Sequence, residues 1–448
     1  MALTDDLPAD ETRELLQALI RNRCVNDGSP TSGDEHRNAA VLEAYLLGRG
    51  VELQRYEPVP GRVSLLARLE GTDPDAPTVG LMGHTDVVPV TPERWRHDPF
   101  AAEVIDGEVW GRGAIDMLNL TASMAVALRR LAEGPRPRAS VLLLAVADEE
   151  GGGELGAGWL TEHHWDDVAC DVVLTESGGI LTHTAGGPRI AISNAEKGVA
   201  WRDIVVRGTS SHGSRPYGSD NAIVTAAEVV RRLAAHRVGA RIGDEWEAWV
   251  RMQGLDAEHE SALLDPGRVL DAIDTWEHGG DRALMHAMTH TTFSPNVIRG
   301  GSKTNVIPDE VHIRLDIRTL PGADDDDVDA ELAGILVGLE DVVSWHPSIE
   351  SRPATTSPTD NRWWELLTDL ALEAHPEAQP VPRMVAGGTD AVHFRRRGVD
   401  AYGAGLFSDR IDLGQFSAMF HGPDERVDIT SLGLSTAYWR EFVRRAAD

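Results

Sequence analysis

The stretch VLLLAVADEEGGGE, Val141 to Glu154, runs seven apolar residues into three adjacent carboxylates and then three glycines. A continuous apolar run of this length, closed by turn residues, reads as a strand buried on both faces. Three like charges at its end repel one another, and burying ionised carboxylates without partners costs on the order of several kcal/mol each. The stretch therefore predicts a central strand whose end lies close to positive charge. Working outward, the same form recurs in SLLARLEG (Ser64 to Gly71), PTVGLMGHTD (Pro77 to Asp86) and DVVLTES (Asp171 to Ser177), with a helical pattern in LTASMAVALRRLAEG (Leu120 to Gly134). Strands alternating with helices predict an α/β fold with a sheet covered on both faces, and functional groups in such folds gather where strands end.

Two amphipathic helices are expected at the start, Ala9 to Arg23 and Gly33 to Arg49, the second closed by Gly50. From Val199 the pattern changes. AWRDIVVRG reads as a strand leading to a helix in NAIVTAAEVVRRLAAH, and EVHIRLDIR as a strand leading to a helix in VDAELAGILVGL and a strand in VVSWHPSIE. That order suggests a small split βαβ sandwich, ferredoxin-like in class, set into the larger domain. The expected organisation is a catalytic domain in two parts, 1–198 and 354–448, around an inserted α+β domain at 199–353. A mostly helical stretch at about 237–290 carries Trp246, Trp249 and Trp276, which read as core or interface aromatics. The acidic run Asp324 to Asp327 sits at a helix N-terminus, where it suits the macrodipole, and receives no function. GRGAID, Gly111 to Asp116, lacks the third glycine and the spacing of a phosphate-binding loop.

Acidic side chains outnumber basic ones 72 to 42 in the 448 residues, a formal charge of −30. Such a chain repels nucleic acid and anionic membrane, so neither is an expected partner. Only Cys24 and Cys170 occur, too few for a disulfide framework, and the N-terminus is acidic with a helical pattern rather than a signal peptide. No apolar run approaches the ~20 residues of a membrane helix. A cytoplasmic location is expected.

The polar residues at the expected strand ends are His84 and Asp86, Asp116, Glu149 and Glu150, Glu176, and, late in the chain, His421. Each alone reads as a cap or a solvated loop residue. Together they offer two imidazoles and several carboxylates, a set suited to zinc, cobalt or manganese. Two divalent ions would turn the crowded carboxylates into counter-charge.

The ordered set GHTDVVPV, WGRGAIDM, ADEEGGG, the Glu in LTESGG, GTSSHGSRPYGSDNAI, TNVIPDEVHIRLDIR and HGPDE resembles the zinc-dependent family of aminoacylases, succinyl-diaminopimelate desuccinylases and glutamate-releasing carboxypeptidases. The resemblance implies two Zn2+ per subunit, with Co2+ or Mn2+ as alternatives. Asp116 would bridge them, His84 and Glu176 would complete one site, and Glu150 and His421 the other. Asp86 would orient His84, and Glu149 would act as general base towards a metal-bound hydroxide attacking an amide. The inserted domain would serve as a lid and dimerisation domain. From it His212 would reach the partner's site to stabilise the oxyanion, making the enzyme a homodimer. Asn305 and Arg318 match positions that hold the substrate carboxylate. Gly387, Gly388 and Thr389 resemble a loop offering backbone N–H groups, although Thr389 equally reads as a helix cap.

Two departures from the pattern stand out. Many relatives carry Lys-Gly shortly after the bridging aspartate, where this chain has Met117, Leu118 and Asn119. Glu rather than Asp at position 176 leans towards aminoacylases and desuccinylases. The expected activity is hydrolysis of the amide of an N-acyl amino acid. A carboxypeptidase or dipeptidase acting on short peptides with the same site is the alternative, and a non-catalytic small-molecule-binding relative the second. Asp148 receives no role beyond loop or support.

Overall fold

The computed structural model describes residues 7–29, 31–276, 282–411 and 413–448. The first six residues of the acidic N-terminus and part of the 237–290 stretch thus lie outside the described residues. The expected opening helices are present at Ala9–Arg21 and His36–Leu46.

The run Val141 to Val146 forms the strand Ser140–Val146, every residue of it buried. Its side chains alternate between two cores. Val141, Leu143 and Ala145 pack towards the helices Ala9–Arg21, Leu118–Glu133 and Ile429–Arg445, while Leu142, Leu144 and Val146 join Leu160, Val168 and Phe394 on the other face. A strand covered on both sides needs apolar residues at every position, which is why this one shows no alternation. The large sheet runs in the order Glu52–Tyr56, Ser64–Leu69, Ser140–Val146, Thr78–His84, Val172–Thr175, Asp400–Gly403, Gly187–Glu196 and Thr355–Thr356. Its four central strands, from Ser140–Val146 to Asp400–Gly403, are parallel neighbours, so their carboxyl ends lie along one edge. His84, the Asp148–Glu150 loop and Glu176 all follow directly from those ends.

A second sheet has strands in the spatial order Thr292–Gly300, Glu310–Thr319, Arg202–Arg207 and Val343–Pro347, all antiparallel, with Gly198–Val199 extending the contact with Glu310–Thr319. The helices Ala222–Ala235 and Asp325–Ile335 cover one face, giving the βαββαβ order of the split βαβ class. In Glu310–Thr319 buried and more exposed residues alternate, as a sheet covered on one side requires. The run Asp324–Asp327 closes a capping box at the start of its helix. Chain exit and return meet where Val199 and Arg352 exchange backbone hydrogen bonds at 2.7 and 2.8 Å.

Between the halves of this sheet, four short helices, Asp244–Arg251, Ala257–Leu263, Val269–Asp274 and Arg282–Thr289, gather their own core. Trp246 and Trp276 are buried in it beside Met285 and Met288, and Ala195 and Met384 of the large sheet join them. Trp246 stacks on Trp249 at 4.8 Å. The tryptophans are therefore core aromatics that seat the insertion on the large sheet.

Candidate metal centre and substrate cavity

Asp116 lies in the loop before the helix Leu118–Glu133, facing the strand ends. Its two carboxylate oxygens are divided between two imidazoles. Oδ1 is 3.1 Å from His84 Nε2 and Oδ2 is 3.1 Å from His421 Nε2. His421 Nε2 is also 3.1 Å from Glu150 Oε2. On the other side of His84, Glu149 and Glu176 bring carboxylate oxygens into a group whose ligand atoms lie within 4.8 Å of one another, as do those of His84, Asp116 and Glu150. The six residues singled out in sequence as ligands or base are thus brought together at one place.

The electrostatics of the cluster call for positive charge. Burial pushes Glu149 and Glu176 well above the usual carboxylate range, reinforced by Glu176 in the first case and Asp116 in the second. Glu150 is raised to about 7 by burial and by Asp116. Burial also opposes ionisation of Asp116, but hydrogen bonds with His421 and His84 hold it below its ordinary value. His421 rises to about 10 through its bonds to Asp116 and Glu150. Glu150 Oε1 is buried with no hydrogen-bond partner, an open acceptor inside the cluster. Imidazole nitrogens and carboxylate oxygens at these spacings fit divalent cations, with Asp116 placed to share itself between two.

Asp86 sits two residues beyond His84. His84 Nδ1 lies 3.0 Å from the Asp86 backbone oxygen and 3.5 Å from its Oδ1. Asp86 Oδ2 accepts from Asn26 Nδ2 at 2.8 Å and from the Glu150 N–H at 3.2 Å, so one carboxylate orients a ligand from each half of the cluster. Asp148 finds its positive partner elsewhere. Arg62 lies 2.7 Å from Asp148 Oδ1 and 2.8 Å from Glu35 Oε1, all three buried. Asp148 also accepts from the Leu155 N–H at 2.9 Å, anchoring the loop that carries Glu149 and Glu150.

Glu425, four residues after His421, is a contributor that the reading of the motifs passed over. Fully buried, it accepts from the N–H groups of Ile115 at 2.7 Å and Asp116 at 2.9 Å, and from Arg112 Nη1 at 2.7 Å. Arg112 donates onward to the His421 backbone oxygen at 3.2 Å, so the pair ties together the loops of Asp116 and His421. Position in HGPDE was the available signal, since an acid just beyond a ligand loop is a candidate support.

The cluster opens into a cavity of about 650 Å³ lined also by Lys197, Arg318, Arg383, Gly387, Gly388 and Thr389. Arg318 donates to Asp316 Oδ1 at 2.7 Å. The N–H and hydroxyl of Thr389 both donate to Glu196 Oε2, at 2.7 and 3.0 Å, and its hydroxyl receives the Ala391 N–H at 3.3 Å. The N–H and hydroxyl of Thr389 are thus committed to Glu196, leaving Gly387 and Gly388 as the members of the loop with N–H groups not committed to it, while Asp390 rather than Thr389 is the N-cap of the helix Ala391–Arg395. His212 and Asn305 are not part of that lining. They are exposed neighbours in a small two-stranded ribbon formed by segments far apart in the chain, His212 pairing with Val306 and the Gly213 N–H donating to the Asn305 oxygen at 2.8 Å.

A mixed sheet whose parallel centre gathers imidazole and carboxylate side chains at its carboxyl ends is the setting of a metal-dependent hydrolase. The sequence matches the description "Peptidase family M20/M25/M40" over residues 80–445, and the chain belongs to that family. Aminoacylase-1 of Sus scrofa is 28% identical over 401 residues, covering 87% of this chain and 84% of the relative. The succinyl-diaminopimelate desuccinylase of Hahella chejuensis is 28% identical over 371 residues, 81% of each chain. The fold is shared with the crystal structure of an M20 family metallo-carboxypeptidase from Sulfolobus solfataricus at a TM-score of 0.75 and 19% identity, covering 98% of this chain and 99% of that one. The resemblance drawn from the motifs is borne out, and with it the mixed α/β fold. No helix among the described residues is long and apolar enough to cross a membrane.

Proposed function

We propose that the protein is a dinuclear zinc amidohydrolase that cleaves the amide of an N-acyl amino acid, releasing the free amino acid. The observation that carries this reading is the division of the Asp116 carboxylate between His84 and His421, with Glu149 beside them in no ion pair with a described residue. In this reading Asp116, His84 and Glu176 hold one ion, and Asp116, Glu150 and His421 the other; cobalt or manganese suits the same donors. Bound divalent ions supply Lewis acidity, lowering the pKa of water and polarising an amide carbonyl. The chain's own residues do the rest. Glu149 takes the proton of the attacking water and passes it to the leaving nitrogen. Asp86 fixes the tautomer of His84. Arg318 and the backbone N–H groups of Gly387 and Gly388 receive the substrate carboxylate.

Asn305 and His212 lie on an exposed two-stranded ribbon; in this reading His212 reaches a second copy's site and donates to the developing oxyanion, and Asn305 helps to hold the substrate carboxylate. Exposed apolar residues on the same unit support a homodimer through the inserted domain: Ile298 at 58% exposure, Val224 at 66% and Val306 at 37%. Cys24 and Cys170 are both free thiols, in keeping with a reducing cytoplasm. The aminoacylase and desuccinylase relatives favour an acyl group over a second amino acid on the scissile nitrogen.

The test is a hydrolysis screen of N-acetyl, N-succinyl and long-chain N-acyl amino acids beside dipeptides, with zinc, cobalt or manganese added. Acyl amino acid turnover that disappears in Glu149→Ala is expected. Hydrolysis of dipeptides alone would replace this reading with a peptidase, and turnover unchanged by Glu149→Ala would remove the proposed base. Light scattering of the native protein checks the dimer.

A further inference from the structure

Four lysine and arginine side chains line the cavity, and three of them have partners. Arg318 is paired with Asp316, Arg352 donates to the Gly152 oxygen at 2.7 Å, and Lys197 donates to the backbone oxygens of Ala287 and His290 at 2.9 and 2.7 Å. Arg383 has none. It makes no hydrogen bond or ion pair with a described residue, and its Nη1 is fully covered with no partner. Burial holds its guanidinium below the usual range, with no carboxylate to offset that. A half-buried guanidinium without a counter-charge is costly to the folded protein, and Arg383 borders the cavity with no described acceptor, so an anionic group arriving there would supply the partner it lacks.

The position of Arg383 indicates which part of a ligand it meets. It lies on the strand Gln379–Val385, which pairs with Gly187–Glu196 at the edge of the large sheet, whereas Arg318 comes from the second sheet. The two guanidiniums therefore approach the cavity from different walls. Arg383 and Leu284 also line a small neighbouring recess of about 60 Å³, walled by Trp249, Met252, Met288 and Val381. That setting suits a short methylene segment ending in a planar anion.

We propose that Arg383 selects substrates carrying a second carboxylate, at the end of a short aliphatic segment that lies against Leu284 and the recess. The carboxylate belongs either to the amino-acid side chain or to a dicarboxylic acyl group. This deepens the acyl amino acid reading above and rests on it for the identity of the substrate.

The test uses two pairs of near-isosteres, N-acetyl-L-glutamate with N-acetyl-L-glutamine and N-succinyl-L-alanine with N-succinamoyl-L-alanine. Binding is measured by calorimetry to zinc-loaded protein carrying Glu149→Gln, with and without Arg383→Leu. In one pair the charged member is expected to bind roughly ten- to a hundredfold more tightly, the range of a charge-assisted hydrogen-bonded pair. That preference falls to near unity in Arg383→Leu and returns in part in Arg383→Lys, which a purely structural role for Arg383 would not produce. The pair that responds locates the carboxylate. If Arg383→Leu does not unfold cooperatively in urea, Arg383→Gln is read on the same scale. Equal binding within both pairs, or a preference that survives removal of the guanidinium, overturns the proposal. Turnover of the same compounds by the unsubstituted enzyme is scored separately: no hydrolysis with the charge preference intact would discard the amidohydrolase reading and leave the assignment of Arg383 standing.

Discussion

Replacing Glu425 with Gln removes one negative charge and exchanges one acceptor oxygen for a donor. Glu425 Oε1 receives the Ile115 and Asp116 N–H groups, Oε2 receives Arg112 Nη1, and the Gly113 N–H lies 3.1 Å from both. With the Gln oxygen turned to the backbone, its NH2 faces the guanidinium; turned the other way, the NH2 faces two N–H groups. Donors meet donors in either case. Arg112, buried at 2% exposure, loses its counter-charge, and breaking such a pair from one side costs about 3–5 kcal/mol. The remaining bond from Arg112 to the His421 oxygen places the expected loss at the lower end, about 3 kcal/mol in urea unfolding. Because the lost bonds hold the backbone of Asp116, metal affinity should fall roughly 10- to 100-fold, as for other groups that orient ligands. Competition with a chromophoric chelator measures this. Stability within about 0.5 kcal/mol of the parent, together with unchanged metal affinity, would refute the reasoning.

Three further outcomes are expected. Leu143→Ala, at a fully buried position in the central strand, should lower unfolding stability by about 2–5 kcal/mol, and a change under about 1 kcal/mol in urea would contradict the packing described. In Gly156→Ala the added carbon would sit 1.7 Å from the Ala147 oxygen, so the loop bearing Glu149 and Glu150 must shift; kcat/KM should fall sharply with stability, and parental values for both would deny that contact. His393 is pushed down to about 4 by burial, while an unfolded histidine titrates near ~6.5. Between those values the unfolded chain binds the extra proton, so this group's contribution is present above pH ~6.5 and lost as pH falls towards 4, up to about 3 kcal/mol. His393→Gln should flatten that part of the stability profile, and identical slopes for both proteins between pH 7 and 4.5 would count against it.

The sequence reading succeeded where a local pattern had one structural solution. Seven apolar residues before Asp148 could only be covered on both faces, and His84, Glu149, Glu150 and Glu176 converged because parallel strands share an edge; Asp116 and His421, also expected at strand ends, instead come from the loop before the helix Leu118–Glu133 and from the turn after the helix Leu413–Met419. It did less well where the decisive partner lies far along the chain. Arg62 reaches Asp148 across 86 positions and Arg112 reaches Glu425 across 313, and no periodicity encodes such meetings. Strand Gln379–Val385 was equally hidden, because Pro380 and Pro382 weaken a strand pattern; it tolerates them by pairing only with Gly187–Glu196. Arg383, between Pro382 and Met384, reads in sequence as an ordinary surface cation. Thr389 shows the opposite difficulty, since its residue type suited two roles, and the structure gives its N–H and hydroxyl to the distant Glu196 instead.

The strand Asp400–Gly403 lies between Val172–Thr175 and Gly187–Glu196, in the middle of the large sheet, although more than 200 residues separate it from either neighbour in the chain. During synthesis the ribosome therefore releases the amino-terminal strands long before the piece that joins them exists. Val173 and Leu174 must wait beside an open slot while the whole second sheet emerges and folds. An unpaired apolar strand edge of this kind is aggregation-prone until it is covered. His421 follows the closing strand in the chain, so in the dinuclear reading proposed above the second ion's ligands would be complete only after the sheet has sealed, and metal uptake would report on finished folding.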